Sequence, residues 1–131
     1  MIVADTNLIA YLYLRGKHSE AAEEQLLKDS EWAVPRLWRS EFRNILATYM
    51  RQGLLAFDDA VSIFQRAEAL IAGNEYDVSA RAVLQLARDS SCSAYDCEFV
   101  ALAQHLGVQL VSADAKLCKA FPDCAVLLSE T

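Results

Sequence analysis

Met1-Ile2-Val3-Ala4-Asp5-Thr6-Asn7 decides how the rest of the chain is read. The apolar opening is too short for a helix and carries β-branched Ile2 and Val3, so residues 1–5 read as a buried strand. An acid stands where that strand ends. Thr6 and Asn7 then offer side-chain caps for a helix bearing Leu8, Ile9, Leu12 and Tyr13. A second run, Val108 to Val111, repeats the form: an apolar strand, the small residues Ser112 and Ala113, then Asp114. If these are neighbouring parallel strands, both aspartates leave the sheet at one edge.

Outward from these runs, strands and helices alternate. A helical pattern over about 18–29 places Ala21, Ala22, Leu26 and Leu27 inside and Glu20, Glu23 and Glu24 outside. Trp32-Ala33-Val34 reads as a strand stopped by Pro35. The helix over about 36–52 carries Leu37, Trp38, Phe42, Ile45, Leu46 and Tyr49 on one face. Asp58 is placed to cap a helix with Val61, Phe64, Leu70 and Ile71 inside, and Gly73 ends it. Tyr76 to Val78 is a weak strand. Residues 80–89 are helical through Val83, Leu84 and Leu86. Ser93 opens a helix bearing Tyr95, Phe99, Leu102, Ala103 and Leu106, closed by Gly107. A short helix at 115–121 and an edge strand, Ala125 to Leu128, complete the pattern. Strands that are almost wholly apolar require cover on both faces, so the expected class is α/β, a three-layer α/β/α arrangement. Its central sheet should be mostly parallel, with four to five strands. Such sheets bind ligands beyond the carboxyl ends of their strands, where strand order reverses.

Composition narrows the function. The 131 residues are 54% apolar and 23% charged, with four Gly and two Pro, which suits one globular domain over 1–131. Nothing resembles a signal peptide or reaches the ~18 apolar residues of a membrane span, so a soluble, cytoplasmic chain is expected. Cys92, Cys97, Cys118 and Cys124 lack zinc-knuckle spacing and any hint of secretion, and read as reduced, mostly buried thiols. The net charge is −6, which argues against a broad basic surface for nucleic acid. Any such contact must be local. The basic residues nearest the singled-out acids are Arg36, Arg39, Arg43 and Lys116, although each alone reads first as a solvated helix residue.

The chemistry rests on Asp5, Glu41, Asp96 and Asp114. Helix capping explains three of them singly: Asp5 and Asp114 precede helices, and Ser93-Ala94-Tyr95-Asp96 resembles a capping box. Glu41 is harder to explain that way. It shares a helix side with Leu37 and Ile45 and borders the Trp38–Phe42 stripe, where an ionised carboxylate needs a partner or a metal. Two unit charges about 4 Å apart repel by about 4 kcal/mol at an effective dielectric of ~20. Four such acids at one edge therefore point to a divalent cation, and through it to phosphate chemistry. Mg²⁺ or Mn²⁺ suits hard oxygen donors and open coordination positions.

Taken together, Asp5-Thr6-Asn7, Ser40-Glu41-Phe42, Tyr95 through Ala103 and Leu110-Val111-Ser112-Ala113-Asp114 closely resemble the PIN-domain nucleases. In length and layout the chain is most similar to VapC-type toxins of toxin–antitoxin pairs. The resemblance spans essentially the whole chain, and the order and spacing of its short motifs carry it. It implies an acidic metal site of Asp5, Glu41, Asp96 and Asp114, with Thr6, Asn7 and Ser112 as polar supports. It also implies Mg²⁺- or Mn²⁺-dependent hydrolysis of RNA leaving a 5′-phosphate and a 3′-hydroxyl, a homodimer, and an antitoxin that sets a basic side chain against the acids. Glu98, two positions from Asp96, should project elsewhere, toward solvent or a partner. One competing reading is a PIN scaffold that binds without cutting. Another is an aspartyl-phosphate phosphatase or receiver; the former usually has a second Asp two residues after the first, where this chain has Asn7.

Overall fold

Alternation along the strands sets the layers. In β1 (Ile2–Ala4), Ile2 and Ala4 enter one hydrophobic layer and Val3 the other, as a period of two requires. In β2 (Trp32–Pro35), Trp32 and Val34 join the first layer and Ala33 the second. The structure is a computed structural model that describes residues 1–129. Between and after these strands run α1 (Thr6–Tyr13), α2 (Ser19–Lys28), α3 (Leu37–Arg51), α4 (Phe57–Ile71), β3 (Glu75–Tyr76), α5 (Ala80–Arg88), α6 (Ala94–Leu106), β4 (Leu110–Ser112), α7 (Ala115–Ala120) and β5 (Ala125–Leu127).

The sheet order is β3-β2-β1-β4-β5 and every pair is parallel. β1 is central: Val3 pairs with Ala33 on one side and Leu110 on the other. The chain first builds outward from β1 through β2 and β3, then returns to lay β4 along its other edge. Strand order therefore reverses between β1 and β4, which opens a crevice at their carboxyl ends. Helices α1, α3 and α4 cover one face around Trp32, Trp38 and Phe42. The other face is covered by α6 and α7 through Phe99, Val100, Leu102 and Leu117. The expected α/β layering is found, with the sheet wholly parallel rather than mostly so.

The departures from expectation have local causes. β4 begins at Leu110, not Val108, because Val108 closes α6: its N–H bonds Ala103 O at 3.0 Å behind Gly107 at φ 67°, a Schellman-type ending. β3 falls at Glu75–Tyr76, and Pro35, which has no N–H to give, is the last residue of β2 opposite Tyr76. The α4 cap is Ala56, with no side-chain bond; Asp58 lies in the first turn, where a carboxylate suits the helix dipole. The buried seam of α4 is Ala60, Ile63, Ala67 and Ile71. Leu27, Val61, Leu84 and Tyr95, expected inside, are 88%, 41%, 64% and 64% exposed. All four cysteines are free thiols, Cys97 buried and the others half-buried. Among the described residues no helix is long and apolar enough to cross a membrane.

Candidate active site

Two hydroxyls organise the acids. Asp5 leaves β1 and caps α1, with Oδ1 accepting from Thr6 N at 2.8 Å. Its Oδ2 accepts from the Ser112 hydroxyl at 2.6 Å. Ser112, fully buried at the end of β4, also accepts from Asp114 N at 3.0 Å. One side chain thus sets the spacing of the two aspartates across the β1–β4 crevice. Asp114 caps α7, with Oδ1 accepting from Lys116 N and Leu117 N at 3.0 and 3.2 Å. The second hydroxyl is that of Thr6, which donates to Glu41 Oε1 on α3 at 2.7 Å. Asn7 Oδ1 accepts from Ala113 N at 3.4 Å and braces the exit of β4. Thr6 and Asn7 are therefore not the caps of α1 that their position suggested; they tie α1 to its neighbours. Asp96 enters from the first turn of α6, where its N–H bonds Ser93 Oγ at 3.0 Å.

Capping thus occurs as the sequence suggested, yet it leaves the convergence unexplained. Burial raises the pKa of Asp5 against the lowering hydrogen bonds from Ser112 and Thr6, and Asp96 and Asp114 raise it further. Glu41 is raised by burial, partly offset by Thr6, and then by Asp5, Asp96 and Glu98. Asp96 is raised by burial and by Asp114, with small relief from Lys116. Each acid acts on its neighbours, so the four form one electrostatic unit. Glu98 belongs to this field too. The sequence placed it away from the site; in the fold, α6 packs closely enough on the sheet for its charge to reach α3.

Among the described residues, no three acidic, histidine or cysteine side chains stand close enough to enclose an ion. The donor set fits a different mode. Hydrogen bonds engage Oδ1 of Asp114 and Oε1 of Glu41, and each has a second hard carboxylate oxygen outside those bonds. An ion held by one or two carboxylates that keeps several waters is the usual state of Mg²⁺.

The basic residues divide. Arg39 turns away: its guanidinium grips Glu75 at 2.7 and 2.8 Å and Glu68 at 2.7 Å. That makes it a link between α3, β3 and α4 instead of the substrate contact its spacing suggested. Arg36 pairs with Asp77 at 3.0 Å on the surface. Arg43 packs over Phe64 and bonds Arg39 O. Lys116 is the cation within reach of Asp96.

A wholly parallel sheet with aspartates at the ends of its two central strands, met by acids from flanking helices, defines a class of α/β domains built to bind at the carboxyl edge. The chain belongs to the PIN domain family, which it matches over residues 2–121. It is 29% identical over 124 residues to Ribonuclease VapC3 of Pyrobaculum aerophilum, covering 92% of this chain and 95% of that protein. FitAcB from Neisseria gonorrhoeae superposes with a TM-score of 0.74 at 20% identity, over 99% of this chain and 98% of that one. A toxin-antitoxin complex from Klebsiella pneumoniae does so with a TM-score of 0.69 at 16% identity, over 100% of this chain and 98% of that one. These two structures share its fold.

Proposed function

We propose that this chain is a Mg²⁺- or Mn²⁺-dependent endoribonuclease, the toxin of a VapBC-type pair. The observation that carries the reading is the four-acid crevice: Ser112 ties Asp5 to Asp114, Thr6 holds Glu41, and Asp96 is close enough to act on both Asp5 and Glu41. The similarity to a protein named as a ribonuclease supports it. A bound divalent ion would supply Lewis acidity to a phosphodiester and help ionise the attacking water. One or two of Asp5, Asp96 and Asp114 would hold such an ion at the sheet edge, with water and phosphate oxygens completing its shell. Ser112 and Thr6 keep their carboxylates from turning away. Glu41 or Asp96, whose pKa values are raised, would be the carboxylate placed to take the proton from water. Lys116, Arg36 and Arg43 offer local contacts to phosphates, consistent with an acidic chain that cannot bind RNA broadly.

The same reading includes a homodimer, a cytoplasmic location, and a VapB-like antitoxin whose basic side chain offsets the crevice charge. The whole reading is tested by cleavage of a structured RNA pool in Mn²⁺, Mg²⁺ or EDTA, with Asp5→Asn purified identically. Cutting that needs metal and disappears in the variant is expected. Cutting that survives in Asp5→Asn, or none by well-folded protein in either metal, would remove the proposal.

A further inference from the structure

An open recess of about 400 Å³ is lined by Arg36, Tyr76, Val78, Val83, Leu84 and Glu98, the last of which acts on Glu41 through its charge. Arg36 precedes α3, Tyr76 ends β3, and Glu98 lies on α6 two residues beyond Asp96. The recess therefore opens at the same carboxyl edge of the sheet as the four acids. We infer that this recess holds the base next to the cut phosphate and selects guanine there, through Tyr76 and Glu98, with Arg36 on a neighbouring phosphate.

This deepens the ribonuclease reading and rests on it. The lining divides as a nucleotide does. Val78, Val83 and Leu84 give apolar walls and Tyr76 a ring, the surfaces on which single-stranded bases stack. Arg36 stands at the mouth, and its pairing with Asp77 is exposed on both sides, 65% and 86%, so it yields readily to a phosphate. Glu98 is half-buried. An ionised carboxylate only accepts hydrogen bonds. Guanine offers it two adjacent donors, N1–H and N2–H₂, one for each oxygen. Uracil offers a single N3–H between two carbonyl oxygens, which such a carboxylate repels. A half-buried acceptor left facing an acceptor adds to the discrimination.

The test uses the whole protein with Mn²⁺ and a randomised single-stranded RNA library, reading the bases on either side of each cut. The wild type should favour guanine over uracil at one adjoining position by about tenfold, a typical size for a two-bond base contact. Glu98→Gln should flatten that position alone, and Tyr76→Ala should lower cutting of every sequence. Guanosine and uridine monophosphates, compared by ligand-observed NMR without metal, give a readout independent of cleavage: guanosine monophosphate should bind more tightly, and Glu98→Gln should erase the difference. Cutting with no favoured adjoining base, or a guanine preference unchanged in Glu98→Gln, would overturn the recess and leave the ribonuclease reading intact. Tight guanosine monophosphate binding by a protein that cuts no RNA would keep the recess and remove the cleavage reading. If Leu84→Glu splits a dimer while base preference stays as it was, the recess is a contact between copies and the inference falls.

Discussion

Arg39 and Glu41 are two residues apart on α3 and live in opposite electrostatic worlds. Toward α4 and β3, Glu75 and Glu68 share one guanidinium, and the Trp38 indole N–H adds a bond to Glu75 at 2.8 Å. The Arg39 hydrogen bond is the main reason the Glu75 pKa lies below its usual range. Toward the sheet, Glu41 meets Asp5 and Asp96, and its pKa rises. The first group of acids finds its counter-charge within the fold. The second is held by hydroxyls, Thr6 and Ser112, which fix geometry without neutralising anything. Acids gripped by their own guanidinium are scaffold; acids held mainly by hydroxyls, with Lys116 only in reach of Asp96, keep their mutual repulsion.

The hardest test of that contrast is Asp96→Asn. It keeps shape and much of the capping capacity while removing a charge from the crevice. Metal-dependent cleavage should fall at least about 100-fold, the upper end of what losing even a ligand's supporting partner costs, and metal-free stability in urea should hold or rise. Cleavage retained at the wild-type rate would remove Asp96 from the site. On the scaffold side, Arg39→Met strands two carboxylates, and urea unfolding should show a loss of about 2 kcal/mol, below the fully buried case because the group is part-exposed. Its cleavage in the cold, while folded, should stay within a few-fold of wild type. A collapse there would return Arg39 to the substrate path.

The smallest expected effect separates the two groups by pH. Asp5, Glu41 and Asp96 bind protons more tightly folded than unfolded, so above about pH 4 the native state carries the extra protons and loses stability as pH rises through their raised values. Glu75 has the opposite sign: its contribution is present at neutral pH and is lost as pH falls through its lowered pKa. Mn²⁺ should cancel only the first trend. Thermal unfolding in Mn²⁺ against EDTA should therefore show a gain larger by about 1 kcal/mol near pH 7.5 than near pH 5. An equal gain at both values would mean that the ion binds away from the acids.

The sequence carried most of this where one residue answers to one local rule. The strand at 1–5, the Ser93 cap, the Gly107 ending and the order of the acids all follow from periodicity and capping. It failed where a helix position is decided by its tertiary neighbour. Val61 gives way to Ala60 because the buried seam of α4 runs through Ala60, Ile63, Ala67 and Ile71, a stripe that Val61 lies outside. Arg39 read as a free cation because its partners lie 29 and 36 residues away. Glu98 read as pointing elsewhere because helix spacing measures angle to Asp96, not distance to α3. The roles of Thr6 and Ser112 as ties between acids were visible only as small polar residues in the right places.

Because β1 is central and parallel on both edges, its last partner is far away in the chain: Val3 waits for Leu110. At about 5–20 residues per second of synthesis, that strand stands without half its pairing for roughly 5–20 s. Asp114 arrives later still. The crevice between β1 and β4 therefore cannot close before residue 114 has been made, and a chain stopped short of that point lacks both Ser112 and Asp114 to complete it.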